Sequence, residues 1–200
     1  MKHGDENFIT TITGRKFWPL DPRPEDICIE DIAHALAHIC RFNGHVRRFY
    51  SVAQHCVMVS RFVRPPASLR AHGEALDRLE RIYALEGLVH DTPEAYLGDM
   101  TGPVKHAAEM RLYRSADDTL LRVIRESFGL TGAQPPEVKQ IDHLILQDEA
   151  RELTPNLARP SALRGPGLGI QIHPVDPDEA KHMFIQRFYQ LHGVKEGAAA

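Results

Sequence analysis

The sequence lacks several features that would indicate a membrane or secreted protein. No apolar run reaches the roughly 18 residues that a membrane-spanning helix needs. The first eight residues, MKHGDENF, contain no apolar segment of the secretory type. We therefore expect no membrane partner and a cytoplasmic location.

Cysteine is scarce: Cys28, Cys40 and Cys56 are three in number, cannot all pair within the chain, and show no C-x-x-C spacing. They are interpreted as reduced, mostly buried thiols. Cys56 directly follows His55, so a metal-ligand role has to be weighed. The next position on a helix points about 100° away from its neighbour, which favours the buried thiol.

No strong excess of one charge is present, since 24 basic and 27 acidic residues leave a net charge of -3. A specific nucleic-acid partner is therefore not expected, although local basic groups could still bind a small anion. The 200 residues, 42% of them hydrophobic, are enough for one domain with its own core.

The spacing of apolar residues predicts an all-α fold: a single helical domain over residues 1–200, with a core at about 8–155. Residues 8–17, FITTITGRKF, are rich in β-branched and aromatic side chains and predict a short N-terminal β-hairpin or extended arm. Apolar residues three or four positions apart predict the helices, and residues 154–175 are expected to form a long loop. The predicted helices span residues 28–40, 50–63, 68–90, 107–128, 136–153 and 176–192.

An adjacent histidine and aspartate, His90-Asp91, follow Leu88-Val89 at the end of an apolar helix. Such a pair is expensive to bury without a partner, and a helix-end ion pair is one solution. A divalent cation is another, because it binds both side chains and neutralises the carboxylate. The donor types suit Mn, Co, Fe, Zn or Mg, and the sequence does not choose among these ions.

Two further ligands are predicted on other helices. His55 lies in the apolar segment SVAQHCVMVS, where a histidine satisfied within the core is the alternative interpretation. Asp142 follows Ile141 on an apolar stripe of the helix over 136–153. Asp148 and Glu149, on the same helix, have charged neighbours and are interpreted as part of a solvated face.

The order of these motifs resembles the HD superfamily of metal-dependent phosphohydrolases, which are helical domains named for an adjacent His-Asp pair. The set is similar to bacterial 5'-deoxynucleotidases and to phage dATP triphosphohydrolases. The segments GRKFWPL and IAHALAHICRFNGHVRRFYSVAQH extend the resemblance over residues 8–155. The motifs that carry it are YSVAQH, HDTPEA, LGD and VKQID.

The resemblance implies one divalent metal ion and a small-molecule nucleotide substrate. The implied ligands of the ion are His55, His90, Asp91 and Asp142. Glu94 is implied to act on the attacking water or the leaving oxygen, and Asp99 to support the site. Relatives of this kind form dimers or higher assemblies, so a homo-oligomer is expected.

The dipeptide Thr92-Pro93 lies between the His-Asp pair and Glu94. A residue before proline avoids the α conformation, so one helix is expected to end near Asp91. Thr92 is then expected to cap a second helix with Pro93 as its first residue. Glu94 would remain near the metal, in a first helical turn where a carboxylate is favoured.

Candidate substrate contacts are basic and aromatic residues close to the motifs. The resembling deoxynucleotidases carry an Arg-Trp pair shortly before the first motif histidine; Arg41-Phe42 is the nearest match by position, and residues 16–18 are a more distant one. Trp18 could instead pack in the core. Asp99 could have no role in the site and simply cap the segment that starts at Thr101. His45 could belong to a turn alone. The candidates are Arg15, Lys16, Trp18, Arg41, Phe42, His45 and Lys105.

Several functions remain open at this point. One reaction releases orthophosphate from a deoxynucleoside 5'-monophosphate, and another releases triphosphate from a deoxynucleoside triphosphate such as dATP. Hydrolysis of a signalling nucleotide such as guanosine tetraphosphate is a wider alternative. A non-catalytic module that binds nucleotide or metal is the alternative from another class.

Overall fold

A computed structural model describes residues 7–69, 72–155, 163 and 165–193 of the chain. The predicted all-α class and the predicted N-terminal hairpin are both confirmed. Strands β1 (Ile9–Thr10) and β2 (Lys16–Phe17) pair antiparallel, with Ile9 opposite Phe17. The helices are α1 (Ile29–His38), α2 (Val52–Phe62), α3 (Glu74–Val89), α4 (Glu94–Leu97), α5 (Gly102–Lys105), α6 (Arg111–Ser127), α7 (Pro136–Leu153) and α8 (Pro177–His192).

Helices α1, α2, α3 and α8 pack together around the largest apolar cluster. The cluster runs from Phe17 in the hairpin to Phe188 in α8, and α7 crosses beside it against α2 and α3. None of the helices in the described part of the chain has both the length and the apolar character needed to cross a membrane. Assignment of the whole chain to one domain stays a prediction.

Helix ends follow local capping chemistry where the sequence supplies it. The Ser51 hydroxyl accepts a bond from the Gln54 backbone N–H (3.1 Å), and the Asp176 carboxylate accepts one from Glu179 (2.8 Å). These caps start α2 and α8. Helix α7 has the predicted bounds, Pro136–Leu153.

The predicted start of the third helix at residue 68 is wrong. Ser68 lies in a short 3-10 turn, Ala67–Leu69, and α3 begins only at Glu74. Gly73 precedes it with φ of 61°, a left-handed conformation that interrupts the helix. Helix α6 also begins later than predicted, at Arg111, because a 3-10 turn occupies Ala108–Met110.

The segment before α8 contains no helix or strand within residues 165–175, the longest described part of the predicted loop. The buried side chain of Gln54 holds this segment against α2. Its amide donates to the carbonyl of His173 (2.7 Å) and its oxygen accepts from the N–H of Val175 (3.1 Å). Both polar ends of a buried amide are thus paired, as burial requires.

Gly87 sets the close approach of α3 to α2. A Cβ at this position would lie 2.9 Å from Val63 Cγ1 and 3.2 Å from the Ser60 backbone. We expect Gly87→Val to destabilise the protein by about 1–3 kcal/mol through overpacking, measured as a lower melting temperature. Gly102→Val is the control, since nothing lies within 4 Å of that Cβ. Equal melting temperatures for the two variants would contradict a close contact at Gly87.

Candidate metal centre

Three helices bring the predicted ligands together. His55 lies in the first half of α2, His90 directly follows α3, and Asp142 lies in the first half of α7. The packing of α2 against both α3 and α7 places the three side chains at one point. Asp91 reaches the same point from the turn after α3.

The ring nitrogens of the two histidines face each other. His55 Nε2 lies 3.3 Å from His90 Nε2, and Asp91 Oδ2 lies 3.2 Å from His90 Nε2 and 3.6 Å from His55 Nε2. The potential ligand atoms of these three residues all lie within 4.8 Å of one another. Such a group can hold a metal ion.

Asp142 adds a carboxylate to the same group. Its Oδ1 atom lies 3.1 Å from His55 Nε2 and 3.9 Å from His90 Nε2. The position agrees with the predicted fourth ligand, while ligation itself stays a prediction. Two imidazoles and two carboxylates form a donor set that several divalent ions accept.

The outer nitrogen of each histidine is held by an acceptor. His90 Nδ1 donates to the carbonyl of Gly87 (2.9 Å), and His55 Nδ1 donates to Glu149 Oε1 (2.7 Å). Because the Nδ1 atoms carry these protons, both Nε2 lone pairs can face inward. Metal-binding histidines commonly have this arrangement, so the residues present fit a metal ion.

The interpretation of Asp148 and Glu149 as a solvated face is wrong: both side chains are 0% exposed. Asp148 accepts bonds from Arg151 (2.6 Å) and from the backbone of Ile170 (3.2 Å). Glu149 faces the centre because it lies seven positions after Asp142, two helical turns along one face. That spacing was the available signal in the sequence.

Arg41 connects Glu149 to Asp91. Its Nε atom donates to Glu149 Oε2 at 3.0 Å, and its Nη1 atom lies 3.6 Å from Asp91 Oδ2. Burial opposes the charge, but the carboxylates of Glu149 and Asp91 raise the pKa of Arg41. The two residues after it, Phe42 and Asn43, have φ of 56° and 51°, a strained conformation for side chains other than glycine.

Glu94, three positions after Asp91, has a buried carboxyl group that interacts electrostatically with Asp91 and Arg41. It is 7% exposed, and its Oε2 atom has no hydrogen-bond partner among the described residues. Burial raises the pKa of Glu94 well above its ordinary value, and the charges of Asp91 and Asp99 act in the same direction. Burial likewise raises the pKa of the half-buried Asp99. The charge of Arg41 lowers that pKa, and the charge of Asp91 raises it.

The break at Thr92-Pro93 is confirmed, but the predicted capping role of Thr92 is wrong. Helix α3 ends at Val89 and α4 starts at Glu94. The Thr92 hydroxyl donates backwards to the Val89 carbonyl (2.6 Å) and does not cap α4. The Glu94 N–H donates to the Asp91 carbonyl (3.1 Å), so the turn keeps Glu94 close to the His-Asp pair.

Lys105 lies at the edge of the centre. Its ammonium is 3.1 Å from Asp117 Oδ2. Burial opposes its charge, but Asp117, and then Asp91 and Glu94, raise the pKa of Lys105. This position is compatible with a phosphate contact, which stays a prediction.

The contacts of the remaining predicted substrate-binding residues in the described part of the chain are with residues other than the predicted metal ligands. Lys16 lies over the ring of Phe8 (4.6 Å), and Trp18 packs between Phe8 and Arg23 in the hairpin region. Arg15 and His45 are exposed, and the His45 N–H donates to the carbonyl of Phe42. Their substrate roles stay predictions.

Cys56 behaves as the buried thiol favoured by the sequence. Its side chain is 0% exposed, and burial raises the pKa of the thiol to about 11. The group of potential metal ligands in the described part of the chain consists of His55, His90 and Asp91 and does not include Cys56. Cys28 is also buried, Cys40 is partly exposed, and all three are unpaired.

Fold and site together define a helical protein with a candidate metal centre of His55, His90 and Asp91, which is compatible with an HD domain. The chain is 34% identical over 197 residues to the uncharacterized protein YfdR of Escherichia coli (strain K12), covering 96% of this chain and 99% of that protein. It therefore belongs to the same family as YfdR. The uncharacterized protein RCAP_rcc00048 of Rhodobacter capsulatus is also 34% identical, over 194 residues, which cover 90% of this chain and 93% of that protein. No family model matches the chain.

Proposed function

We propose that this protein is a metal-dependent phosphohydrolase that acts on nucleotides. The observation that carries the proposal is the inward-facing pair of imidazole nitrogens, 3.3 Å apart, together with the buried Glu94, whose Oε2 atom has no hydrogen-bond partner among the described residues. A purely structural metal site would not require that glutamate. The proposed substrate class includes deoxynucleoside mono- and triphosphates.

His55, His90, Asp91 and Asp142 would hold the ion. When bound, a divalent ion at such a site supplies Lewis-acid chemistry toward a phosphoryl oxygen and a water molecule. The protein keeps the two Nε2 lone pairs facing inward through the Nδ1 bonds to Gly87 and Glu149. Mixed nitrogen and oxygen donors accept Mn, Co, Fe, Zn or Mg.

Glu94 would move the proton. In the reaction, the water oxygen bonds to phosphorus, the bond between phosphorus and the leaving oxygen breaks, and one proton passes from water to the leaving group. Glu94 Oε2 can accept that proton from the water or deliver it to the leaving oxygen. A raised carboxyl pKa suits this task, because a proton carrier works best with a pKa near the working pH.

Arg41 and Lys105 would bind the phosphate. Arg41 keeps guanidinium N–H groups near Asp91 while its Nε atom is held by Glu149. Lys105 is a point charge at the edge of the same group, close to Glu94. An arginine fork and a lysine together are a common pairing for phosphate recognition.

A nucleotide panel tests the proposed function. Purified protein, with Mn or Co added, is incubated with mono-, di- and triphosphates and with guanosine tetraphosphate. We expect phosphate release from at least one nucleotide, with no release after chelation. Orthophosphate from a monophosphate indicates a nucleotidase, and triphosphate from a deoxynucleoside triphosphate indicates a triphosphohydrolase.

A second outcome would overturn the proposal. If the protein binds the metal, and a nucleotide raises its melting temperature, but no phosphate appears with any metal, the protein is a binding module. A His90→Ala variant is the control for contaminating phosphatases, since it lacks one predicted ligand. Equal activity of this variant and the wild type would also contradict the proposal.

A further inference from the structure

Glu149 occupies the position between the metal centre and the arginine. Its side chain is 0% exposed, and each carboxylate oxygen has a different partner. Oε1 accepts the Nδ1 proton of His55 at 2.7 Å, and Oε2 accepts the Nε proton of Arg41 at 3.0 Å. The phenol of Tyr50, also buried, lies next to the same carboxylate.

Burial of the Glu149 carboxylate lowers the stability of the fold unless partners offset the loss of its hydration. A buried carboxylate needs ionic or hydrogen-bonding partners to offset its lost hydration. Here both partners, His55 and Arg41, direct their other nitrogens toward Asp91, so the same carboxylate orients two groups that meet at one point. Glu86, buried to a similar degree, instead directs both carboxylate oxygens to one described residue, Arg125.

We infer that Glu149 is a positioning residue that sets both the metal-binding nitrogen of His55 and the phosphate-binding end of Arg41. This inference rests on the proposed function. It assigns Glu149 no contact with the metal or the substrate, because both of its oxygens face protein donors.

For His55, the carboxylate fixes which nitrogen carries the proton. A neutral imidazole has one donor and one acceptor nitrogen, and the acceptor at Glu149 selects Nδ1 as the donor. The Nε2 lone pair then points toward His90 and Asp142. Loss of such a supporting carboxylate typically weakens metal binding by about 10–100-fold.

For Arg41, the carboxylate fixes the direction of the guanidinium plane. The two residues after Arg41, Phe42 and Asn43, are in the left-handed conformation, so no regular helix continues from Arg41 to support its side chain. The bond to Glu149 is the side-chain anchor that holds the plane with Nη1 toward Asp91. Without it, the arginine would remain charged but would lose its orientation.

Titration of metal-free, full-length protein with Mn²⁺ tests the inference. We expect Glu149→Gln to weaken Mn²⁺ binding by about 10-fold and Glu149→Ala by about 100-fold, the two ends of the range for supporting residues. Glutamine keeps one acceptor oxygen and carries no charge. It can therefore accept a hydrogen bond from His55 or from Arg41, but not from both. With saturating Mn²⁺, kcat of the Glu149 variants should return toward the wild-type value. Their KM for the nucleotide should stay raised, because Arg41 stays misplaced.

Asp148→Asn is the matched control. Asp148 is adjacent on α7 and equally buried, but its carboxylate bonds to Arg151 and Ile170. We expect this variant to lose stability and to keep the Mn²⁺ affinity of the wild type. If Asp148→Asn weakens Mn²⁺ binding as much as Glu149→Gln does, the effect is general to α7 and the inference is overturned.

The possible outcomes separate this inference from the proposed function. If the wild type binds none of Mn²⁺, Co²⁺, Fe²⁺, Zn²⁺ and Mg²⁺, the proposed function fails. If the wild type binds and Glu149→Gln binds as tightly, only the inference on Glu149 fails. Should the Glu149 variants not fold, ¹⁵N NMR of the Zn²⁺-loaded wild type decides: His55 must show a protonated Nδ1 and a coordinated Nε2, and the reverse pattern would overturn the inference.

Discussion

Replacing Glu94 with glutamine is expected to lower kcat for the nucleotide by about 10²–10⁴-fold, the usual contribution of a positioned acid or base. Glutamine has almost the same shape as glutamate but cannot accept or deliver the proton. Glu94 is separate from the four predicted metal ligands, so the amount of bound metal should not change. The measurements are steady-state kinetics and metal analysis of the same protein sample.

Glu137→Gln is the control for this substitution. Glu137 also has a carboxylate oxygen that is buried without a hydrogen-bond partner among the described residues, but it lies in the first turn of α7. Its variant should keep normal kcat. If Glu94→Gln retains full metal and at least half of the wild-type activity, Glu94 is not the proton carrier.

In the absence of metal, the same Glu94→Gln substitution should stabilise the protein at pH 8. Burial, with Asp91 and Asp99 nearby, raises the pKa of Glu94 in the folded state above the ordinary 4.5. The folded state therefore favours the protonated carboxyl. That contribution to stability is fully present below the unfolded pKa and is lost as the pH rises through the folded pKa. Glutamine removes the loss, so the gain should be present at pH 8 and absent at pH 4.

Glu86→Gln should have the opposite effect on stability. Glu86 is 2% exposed and forms two bonds with Arg125, at 2.6 and 2.9 Å. Breaking a buried ion pair from one side costs about 3–5 kcal/mol, because the remaining charge has lost its counter-ion. For a chain of this size, that is a fall of roughly 10 °C in melting temperature.

Thermal denaturation in EDTA at pH 4 and pH 8 checks both substitutions. The chelator matters because a bound ion beside Asp91 would offset part of the charge around Glu94. A lower melting temperature for Glu94→Gln at pH 8 would show that its carboxylate is satisfied in the folded state. An unchanged melting temperature for Glu86→Gln would contradict the buried pair with Arg125.

The sequence predicted the helical class and the meeting of His55, His90 and Asp91 in different ways. Apolar spacing was sufficient for the helices, and for α7 it also predicted both ends. Residues 35 positions apart cannot be brought together by helical spacing. Their meeting was predicted from the order of motifs in a family resemblance, and the packing of α2 against α3 agrees with it.

Features that depend on backbone conformation or on a distant partner were not predicted. Gly73, with its positive φ, delays the start of the predicted third helix to Glu74, which apolar spacing does not reveal. Glu149 was assigned to solvent because its sequence neighbours are charged, whereas its partners, His55 and Arg41, lie 94 and 108 positions away. Charge along the sequence therefore does not distinguish a solvated carboxylate from one that orients a site.

The strap formed by Gln54 with the backbone of residues 173–175 has a consequence for biosynthesis. Helix α2, which carries His55, also packs against α8 through the cluster that contains Phe184 and Phe188. A ribosome that adds about 5–20 residues per second needs roughly 10 s to pass from α2 to the end of α8. During that interval α2 lacks its contacts with residues 173–175 and with α8. We therefore expect the metal centre to be completed only after α8 has left the ribosome.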